Sequence, residues 1–371
     1  MQYSRPGYTL ALDFIARIRG ERQTIGIDIG HYSIKVVRVH HGRGGSRRVV
    51  AADLERVPDG AVVDCEIKDP GKLLEALSRV MTRSFPESEN ADIVASVNWA
   101  SGVLADRIGV KVPKNGNEDA IIIQTAQARP PFDDQDNVLD YQVIARTNEE
   151  VKAMVVAAKN AMLDTWAKFF RDAGYHLSAI DVDIFGIVNA YLTTVPDEQA
   201  EQTVALFNIG EKKATIAFIM NGVFHSARTL TSGSMDSVVT LLSRHLGIDA
   251  AKSHAVFESG SLASVEGFSE TDVESAMQLA FEEVASAIEF GMRYFSSAES
   301  GNKPERILLC GGGASLPGLT AYIKQKTDIE TLTLNPFKRI ASEPGVFGPN
   351  GISEALSNIY APALGLAVRK F

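Results

Sequence analysis

After a basic first segment, the chain runs into strand-like stretches of apolar residues. Val- and Ile-rich runs cover residues 24–30, 33–42 and 47–57, and glycines punctuate the turn between the second and third runs. Short runs of this composition bounded by glycine are typical of β-strands. The pattern predicts an antiparallel meander, followed by a helix over 70–85 and a buried strand over 92–98.

Residues 99–175 differ in character and predict a small α+β module. Because the segments on either side look like one continuing α/β unit, we interpret the module as an insertion into the first domain. Its predicted elements are a strand over 107–112, a helix over 118–129, a turn at Pro130-Pro131, strands over 140–146 and 151–159, and a helix ending near Gly174.

The second half of the chain predicts mostly helices, with one buried strand running into a cluster of glycines. Pro317 suits the first turn of the helix after that cluster. The predicted elements are helices over 234–246, 250–259 and 272–295, a strand over 306–313, a helix starting near Leu316, and a last helix over 353–369.

Residues 1–22 carry a short basic amphipathic pattern. Leu10, Phe14, Ile15 and Ile18 recur at helical spacing, with arginines alongside. Such a segment fits contact with a membrane or a partner, and it also fits a terminal helix packed on its own domain. The second interpretation is preferred, since a single short helix holds a bilayer weakly.

Length and composition predict a folded protein of two domains in a reducing compartment. The chain has 371 residues, 45% of them hydrophobic, and a formal charge of -9, which argues against nucleic-acid binding. The two cysteines, Cys65 and Cys310, lie far apart and lack the spacing of a zinc site or a disulfide framework. No apolar run is long enough to predict a transmembrane segment.

A repeat links the two halves. Residues 28–42 (DIGHYSIKVVRVHHG) and 208–222 (NIGEKKATIAFIMNG) share a polar residue, Ile-Gly, a short polar loop, a strand and a closing glycine at equal spacing. An apolar strand precedes each segment. Two such hairpins, one opening each half, predict two similar lobes that face a shared cleft.

The first hairpin has the residues of a phosphate-binding turn. Gly30 lets backbone N–H groups approach a phosphate, and Lys35 adds positive charge. The carboxylate of Asp28 would repel bare phosphate, so it predicts Mg²⁺, bound largely through water, between the two. A third turn, Gly311, Gly312 and Gly313, lies between a strand and a helix and would border the sugar and base.

Three glycine turns in the order hairpin, hairpin, strand-to-helix resemble the actin, sugar kinase and heat-shock ATPase superfamily. Within it the chain is similar to the PilM family of type IV pilus assembly proteins, close kin of the cell-division protein FtsA. The resemblance covers residues 24–369 and is densest at 128–144, 153–191, 307–323, 335–337 and 361–369.

This resemblance implies an actin-like bilobal α/β fold of two duplicated ribonuclease-H-like domains with a small inserted α+β subdomain of the SHS2 type. The predicted order is an N-terminal amphipathic segment (1–22), the first lobe (23–98), the inserted subdomain (99–175), the return to the first lobe and the linker (176–200), and the second lobe (201–371), whose outer helical part covers about 240–300 and whose last helix crosses back to the first lobe.

The resemblance also implies a function. The protein would be a cytoplasmic scaffold at the inner face of the inner membrane that binds the cytoplasmic N-terminal tail of a PilN-like protein, with self-association possible in this family. ATP or ADP with Mg²⁺ would be its cofactors. The implied nucleotide-binding residues are Asp28, Gly30, His31, Ser33, Lys35, Asn208, Gly210, Gly311, Gly312 and Gly313.

The chain departs from the family pattern at the nucleotide site. Asn208 replaces the usual aspartate of the second hairpin and cannot act as a carboxylate toward magnesium and water. His31 replaces a small hydroxyl residue and would crowd the terminal phosphate. His254 and Phe257 stand where Glu and Lys usually contact adenosine. These departures predict nucleotide binding with weak or absent hydrolysis.

Two other functions fit the same fold. One is an active ATPase or phosphotransferase, for which Asp181 and Asp183 are the candidate acids in the linker. The other is an FtsA-like filament former tethered to the membrane, which ordinarily ends in an amphipathic helix. The chain stops at Phe371, just after the last predicted helix, and this favours the scaffold.

Overall fold

The computed structural model describes residues 22–86, 88–113, 116–147, 150–196, 202–258, 268–299, 301–349 and 351–369. The amphipathic pattern predicted for residues 1–22 lies outside these ranges apart from Arg22, which begins the first strand.

The N-terminal part confirms the predicted meander, helix and buried strand. Val- and Ile-rich segments form the strands, and the helix begins with Pro70 behind Asp69, whose side chain accepts a hydrogen bond from the backbone N–H of Lys72. The elements are β1 Arg22–Ile29, β2 Ser33–His41, β3 Arg47–Arg56, β4 Val62–Val63, β5 Glu66–Ile67, α1 Pro70–Ser84 and β6 Asp92–Val97.

The next elements confirm the predicted order of strand, helix, strand, strand and helix, with a cis peptide bond at Pro130-Pro131. They form a three-stranded antiparallel sheet with a helix on one face. The elements are β7 Leu104–Val110, α2 Glu118–Gln127, β8 Asn137–Arg146, β9 Val151–Lys159 and α3 Asn160–Asp172, and the sheet has the order β7-β9-β8.

The remaining elements complete the first sheet with β10 and β16 and form the second sheet with its helices. They are β10 Leu177–Val182, α4 Asp183–Thr194, β11 Thr203–Ile209, β12 Ala214–Met220, β13 Val223–Leu230, α5 Met235–Leu246, α6 Ala250–Glu258, α7 Glu270–Ala298, β14 Arg306–Cys310, α8 Leu319–Thr327, β15 Glu330–Thr333, β16 Ala341–Ser342, α9 Glu354–Ser357 and α10 Ala361–Ala367.

Two mixed sheets repeat one local topology. The first has the order β10-β6-β1-β2-β3-β16, and the second has the order β13-β12-β11-β14-β15. In the first sheet β1 is antiparallel to β2 and parallel to β6; in the second, β11 is antiparallel to β12 and parallel to β14. Each sheet therefore places a hairpin beside a parallel strand. This arrangement brings the ends of three neighbouring strands together at one end of the sheet.

Two helix predictions were wrong in detail. The helix expected near Leu316 begins at Leu319, because Gly318 before it has a φ of +88° and Pro317 therefore precedes the helix. The last helix is broken into α9, a 3₁₀ turn and α10. Pro362 lies in the first turn of α10, and since proline has no N–H and clashes in a helix interior, it fits only there.

Helices α4 and α10 cross at backbone contact on β1. A Cβ at Gly365 would lie 1.6 Å from the carbonyl oxygen of Gly186, and a Cβ at Gly26 would lie 2.1 Å from that of Ala363. Helix α4 leaves the first sheet for the second, and α10 follows the second sheet in the chain. A hydrophobic core that includes Ile27, Ile187 and Leu206 joins the two sheets.

Candidate functional site

The first hairpin turn holds a charged pair at its base. Asp28 and Lys35 face each other across β1 and β2, with Nζ of Lys35 3.0 Å from Oδ2 of Asp28. The hydroxyl of Ser96, at the end of β6, donates to Oδ1 at 3.0 Å. Asp28 is 6% exposed. A Cβ at Gly30 would lie 2.9 Å from the Lys35 nitrogen, so the lysine side chain folds close over the turn.

The second hairpin has the same backbone turn with a different charge pattern. The amide of Gly210 donates to the carbonyl of Lys213 at 3.1 Å, as the amide of Gly30 donates to that of Ser33 at 3.1 Å. The predicted repeat is therefore confirmed in geometry. Asn208 faces Thr215 at the positions of Asp28 and Lys35, so the second turn has neither charge of the first pair. The side chain of Ser33 is buried.

The glycine turn after β14 packs against the end of β11. Gly311 has a φ of +84°, and a Cβ there would lie 2.5 Å from Oδ1 of Asn208. A Cβ at Gly313 would lie 2.3 Å from Cγ2 of Ile209, whereas one at Gly312 would meet nothing within 4 Å. Gly311 and Gly313 thus serve close packing, and Gly312 borders open space.

The two hairpin turns lie within electrostatic range of each other. Burial lowers the pKa of His31 from 6.5, and the positive charge of Lys213 in the second turn lowers it further. Burial and the charge of Asp183, which begins α4, raise the pKa of the Cys310 thiol at the end of β14. The second hairpin turn therefore lies near the first, and the end of β14 lies near the start of α4.

The side chain of His31 is held by a hydrogen bond to a neighbouring turn. Its Nε2 accepts a hydrogen bond of 3.1 Å from the amide of Cys65, in the turn between β4 and β5. The lowered pKa keeps the ring neutral, as an accepting nitrogen requires. Asp64 and Cys65 both have positive φ, at 49° and 66°, so this turn bends sharply toward the histidine. Crowding of the terminal phosphate by His31 stays a prediction.

Sequence reasoning missed Ser96 and Asn98 and understated Asp183. The fully buried carboxylate of Asp183 accepts hydrogen bonds from Nδ2 of Asn98 (2.8 Å) and from the amides of Trp99 and Ile184 (both 2.7 Å). Burial and the charge of Asp28 raise its pKa to about 7. Ser96 lies near the end of β6, and Asn98 and Asp183 directly follow the parallel strands β6 and β10. Polar residues at the ends of parallel strands were the available signal.

His254, at one of the positions that the resemblance assigns to adenosine contacts, lies beside the second hairpin turn. Nε2 of His254 lies 3.3 Å from Oε1 of Glu211, which sits in the second turn. Burial raises the pKa of Glu211. His254, on α6, therefore contacts the second hairpin turn. The side chain of Phe257 lies outside the described part of the structure.

A magnesium ion would depend on few protein ligands. Among the described residues no three His, Cys, Asp or Glu side chains lie close enough together to hold a metal. Ser96 and Lys35 already bond to the two oxygens of Asp28, so Asp28 fits contact with magnesium through bound water, and the phosphates would supply other ligands.

Over the same parts of the chain, no helix is long and apolar enough to cross a bilayer.

Solved structures share this architecture. The chain matches the PilM-PilN type IV pilus biogenesis complex with a TM-score of 0.75 and 20% identity, over 93% of this chain and 97% of the other. It matches the ethanolamine utilization protein EutJ from Carboxydothermus hydrogenoformans (TM-score 0.52, 11%, 93% and 89%). It also matches MreB 5 of Spiroplasma citri bound to AMPPNP (TM-score 0.51, 12%, 93% and 94%).

These likenesses show the predicted actin-like fold. At the level of sequence, the family model described as type IV pilus assembly protein PilM matches residues 26–371, nearly the whole chain. The predicted resemblance is therefore confirmed, and the chain belongs to the PilM family of type IV pilus assembly proteins.

Proposed function

We propose that this protein is a cytoplasmic, nucleotide-binding scaffold that works at the inner face of the inner membrane. It binds ATP or ADP with Mg²⁺ in the cleft and grips the cytoplasmic N-terminal tail of a PilN-like membrane protein. The observation that carries the proposal is a family match over nearly the whole chain, together with the charged pair of Asp28 and Lys35 beside the first glycine turn.

Nucleotide binding is supported by the first turn. Backbone N–H groups and the Lys35 ammonium offer donors to phosphate oxygens, while Asp28 offers a carboxylate to a hydrated cation. Both side chains are largely buried beside the turn, at 15% and 8% side-chain exposure, so they are already positioned. A structure in this fold class, MreB 5, is described as bound to AMPPNP.

Weak hydrolysis is supported by the second turn. An attacking water needs a positioned base or a metal that lowers its pKa. The facing positions that hold Asp28 and Lys35 in the first hairpin hold Asn208 and Thr215 in the second, so that turn provides no ionised group at those positions. The protein would therefore retain nucleotide as a structural ligand.

Calorimetric titration of ATP with and without Mg²⁺ tests the nucleotide site. Asp28→Asn should weaken binding about 10–100-fold in Mg²⁺, as loss of an outer carboxylate does at other metal sites, and much less without Mg²⁺. Asp59→Asn, which changes an exposed carboxylate in the loop after β3, is the matched control. No binding by the wild type, or an equal effect of the two variants, would contradict the proposal.

The tail is proposed to bind where the inserted module meets the first lobe. Ala105, Val138 and Val156, from the three strands of the module, pack against the hydrophobic core that joins the two sheets. Of the paired strands in the described structure, β8 and β10 each end a sheet. Edge strands present unpaired N–H and C=O groups, which an extended peptide can join by strand addition.

Charge at this junction suits a tail from a membrane protein. Arg369 forms an ion pair of 2.7 Å with Asp181 on β10 and lies within electrostatic range of Asp140 on β8. Asp140 is exposed. Cytoplasmic segments beside membrane spans carry an excess of Lys and Arg. The carboxylate of Asp140 would attract such a tail.

Binding of labelled N-terminal peptides from membrane proteins encoded beside this gene tests the tail proposal. Asp140→Lys should weaken binding measured by fluorescence anisotropy, while Asp133→Lys, an exposed carboxylate in the turn before β8, should leave it unchanged. Failure to bind any such peptide would refute the scaffold. Equal binding by the two variants would refute the site.

An active ATPase or phosphotransferase is the second candidate, and one observation favours it. Asp183 has a pKa raised to about 7 within range of Asp28, the property expected of a general base at neutral pH. Three donors already engage its carboxylate. Phosphate release that is fast in the wild type and lost in Asp183→Asn would establish this function in place of the scaffold.

A further inference from the structure

A polar contact fastens the inserted module to the second lobe. Arg107, on β7 of the module, donates from Nη2 to the backbone carbonyl of Phe224 on β13, at 3.1 Å. Because arginine is not deprotonated in proteins, the contact also brings a permanent positive charge to the second lobe. The hydrogen bond joins two segments that are 117 residues apart in the chain.

Aromatic rings pack beside this contact. The ring of Phe224 meets that of Phe185, on α4, edge-on with the ring centres 5.0 Å apart, and it meets Trp99 at 6.3 Å. Trp99 is 8% exposed and lies shortly before β7. Phe224 therefore bonds to the module through its backbone and covers the tryptophan through its side chain. Loss of the contact would expose Trp99 to solvent.

The next residue along β13, His225, is the extra residue of a β-bulge. Phe218 pairs with Ser226 and Ile219 pairs with Phe224, so His225 has no partner on β12. A bulge can re-aim the side chain of its extra residue away from the regular ladder. The side chain of His225 is only 9% exposed, so the bulge buries a titratable ring beside the contact with the module.

Both ring nitrogens of His225 have partners. Nε2 lies 2.7 Å from Oε1 of Glu299, directly after α7, and Nδ1 lies 3.0 Å from the hydroxyl oxygen of Ser226. Because an ionised carboxylate can only accept, the neutral ring donates from Nε2 and accepts at Nδ1. The ring also packs edge-on against Phe295 at 5.1 Å. The neutral form of His225 thus satisfies both of its polar atoms.

Glu299 acts on both Arg107 and His225. Burial lowers the pKa of Arg107, and the charges of Glu299 and Asp106 raise it. Burial and the charge of Arg107 lower the pKa of His225 from 6.5, while the hydrogen bond and the charge of Glu299 raise it. Within the described structure, His225 therefore faces one cation from the module and one anion from its own lobe.

We propose that Arg107, His225 and Glu299 form a pH-sensitive clasp that holds the inserted module on the second lobe and opens when His225 gains a proton. That proton places a positive charge near the Arg107 guanidinium and offsets the Glu299 charge that attracts it. The closed contact therefore binds the proton more weakly than the open one. Closure is strongest above about pH 6.5 and weakens as the pH falls below it, by at most about tenfold per pH unit for a single proton.

Acrylamide quenching of Trp99 fluorescence tests the clasp in the full chain. Trp166→Phe leaves Trp99 as the only tryptophan. Between about pH 8 and 5.5, quenching should stay constant above about 6.5 and rise below it. Adding His225→Gln, whose amide can still donate to Glu299, should make quenching independent of pH. Adding His41→Gln, which changes another histidine with a lowered pKa, should leave the rise intact.

Proton NMR titration of His225 measures the effects of the two charges separately. Arg107→Gln keeps an N–H donor for the carbonyl of Phe224 but removes the positive charge, so the titration midpoint of His225 should rise toward 6.5. Glu299→Gln removes the negative charge and should lower the midpoint. Arg146→Gln, which removes an exposed arginine from the same module, is the matched control and should leave the midpoint unchanged.

Far-UV circular dichroism separates opening of the clasp from unfolding of the chain, and the spectrum should not change between about pH 8 and 5.5. Constant quenching over this range, or a rise that persists in His225→Gln, would overturn the inference. Equal midpoints in the wild type and Arg107→Gln, or a rise accompanied by loss of helical signal, would also overturn it. The inference goes beyond the proposed function, because both assays are done without nucleotide and without a tail peptide.

Discussion

Gly365→Ala tests the closest backbone contact between the two helices that connect the lobes. A Cβ at Gly365 would lie 1.6 Å from the carbonyl oxygen of Gly186 and 2.4 Å from its carbonyl carbon. Ordinary contact begins at 3.4 Å, so α10 and α4 would have to separate by about 1.8 Å, which is 3.4 minus 1.6. Both sides of the contact are backbone, so no side-chain rotation relieves the clash.

The size of the effect follows from two opposing terms. Overpacking a close-packed interior costs about 1–3 kcal/mol and occasionally more, and a backbone clash belongs at the upper end. Replacing glycine by alanine within a helix returns about 0.8–1.0 kcal/mol. We therefore expect the free energy of unfolding to fall by roughly 2 kcal/mol or more.

Urea unfolding followed by circular dichroism measures this change. The midpoint should move to lower urea with an unchanged slope, because the surface exposed on unfolding is the same. Gly71→Ala is the matched control: it lies in the first turn of α1, and its Cβ would sit 3.5 Å from Oδ1 of Asp69, an ordinary contact. Equal stability of Gly365→Ala and Gly71→Ala would refute the close crossing.

Three further predictions concern other parts of the molecule. His31 has a lowered pKa, so the unfolded chain binds protons more readily, and stability should fall as pH drops below about 6.5; His31→Gln should flatten melting temperature against pH between 6.5 and 5, and an unchanged slope would contradict this. Phe295→Ala removes a ring that is 1% exposed and stacks on Phe218 at 4.2 Å, so urea unfolding should show a loss of about 3–5 kcal/mol, and a loss below 1 would contradict this stack. Arg83→Ala breaks half-exposed ion pairs to Asp53 and Glu55 and should cost less than about 1 kcal/mol in the same assay; a larger loss that persists in high salt would contradict solvent screening.

The local architecture of the site was predictable because it depends on short stretches of chain. The repeat at residues 28–42 and 208–222 predicted two identical turns, and Gly30 and Gly210 make the same hydrogen bond. In the same alignment of the two repeats, Thr215 stands at the position equivalent to Lys35. The loss of the lysine in the second turn was therefore also visible in the sequence.

Tertiary partners were not predictable in this way. Ser96 lies 68 residues from Asp28, and their contact depends on the pairing of β1 with β6. The glycines at positions 26, 186 and 365 have no shared local pattern, because their role arises only where two helices cross on one strand. The helix start near Leu316 was misplaced because it depends on a left-handed glycine, and the helix over 353–369 was predicted as continuous although it breaks before Pro362.

The end of β6 joins the predicted nucleotide site to the rest of the molecule. Ser96 bonds to Asp28, and three residues later the amide of Trp99 bonds to Asp183, while its ring meets Phe224 of the second lobe at 6.3 Å. Trp99 is also the first residue of the predicted inserted module, whose first strand β7 begins at Leu104. Because packed segments with fixed hydrogen bonds tend to shift together, we expect this segment to couple the proposed nucleotide site to the proposed tail site. ATP with Mg²⁺ should therefore change tail-peptide affinity in the wild type and change it less in Trp99→Ala, and an equal change in both would contradict the coupling.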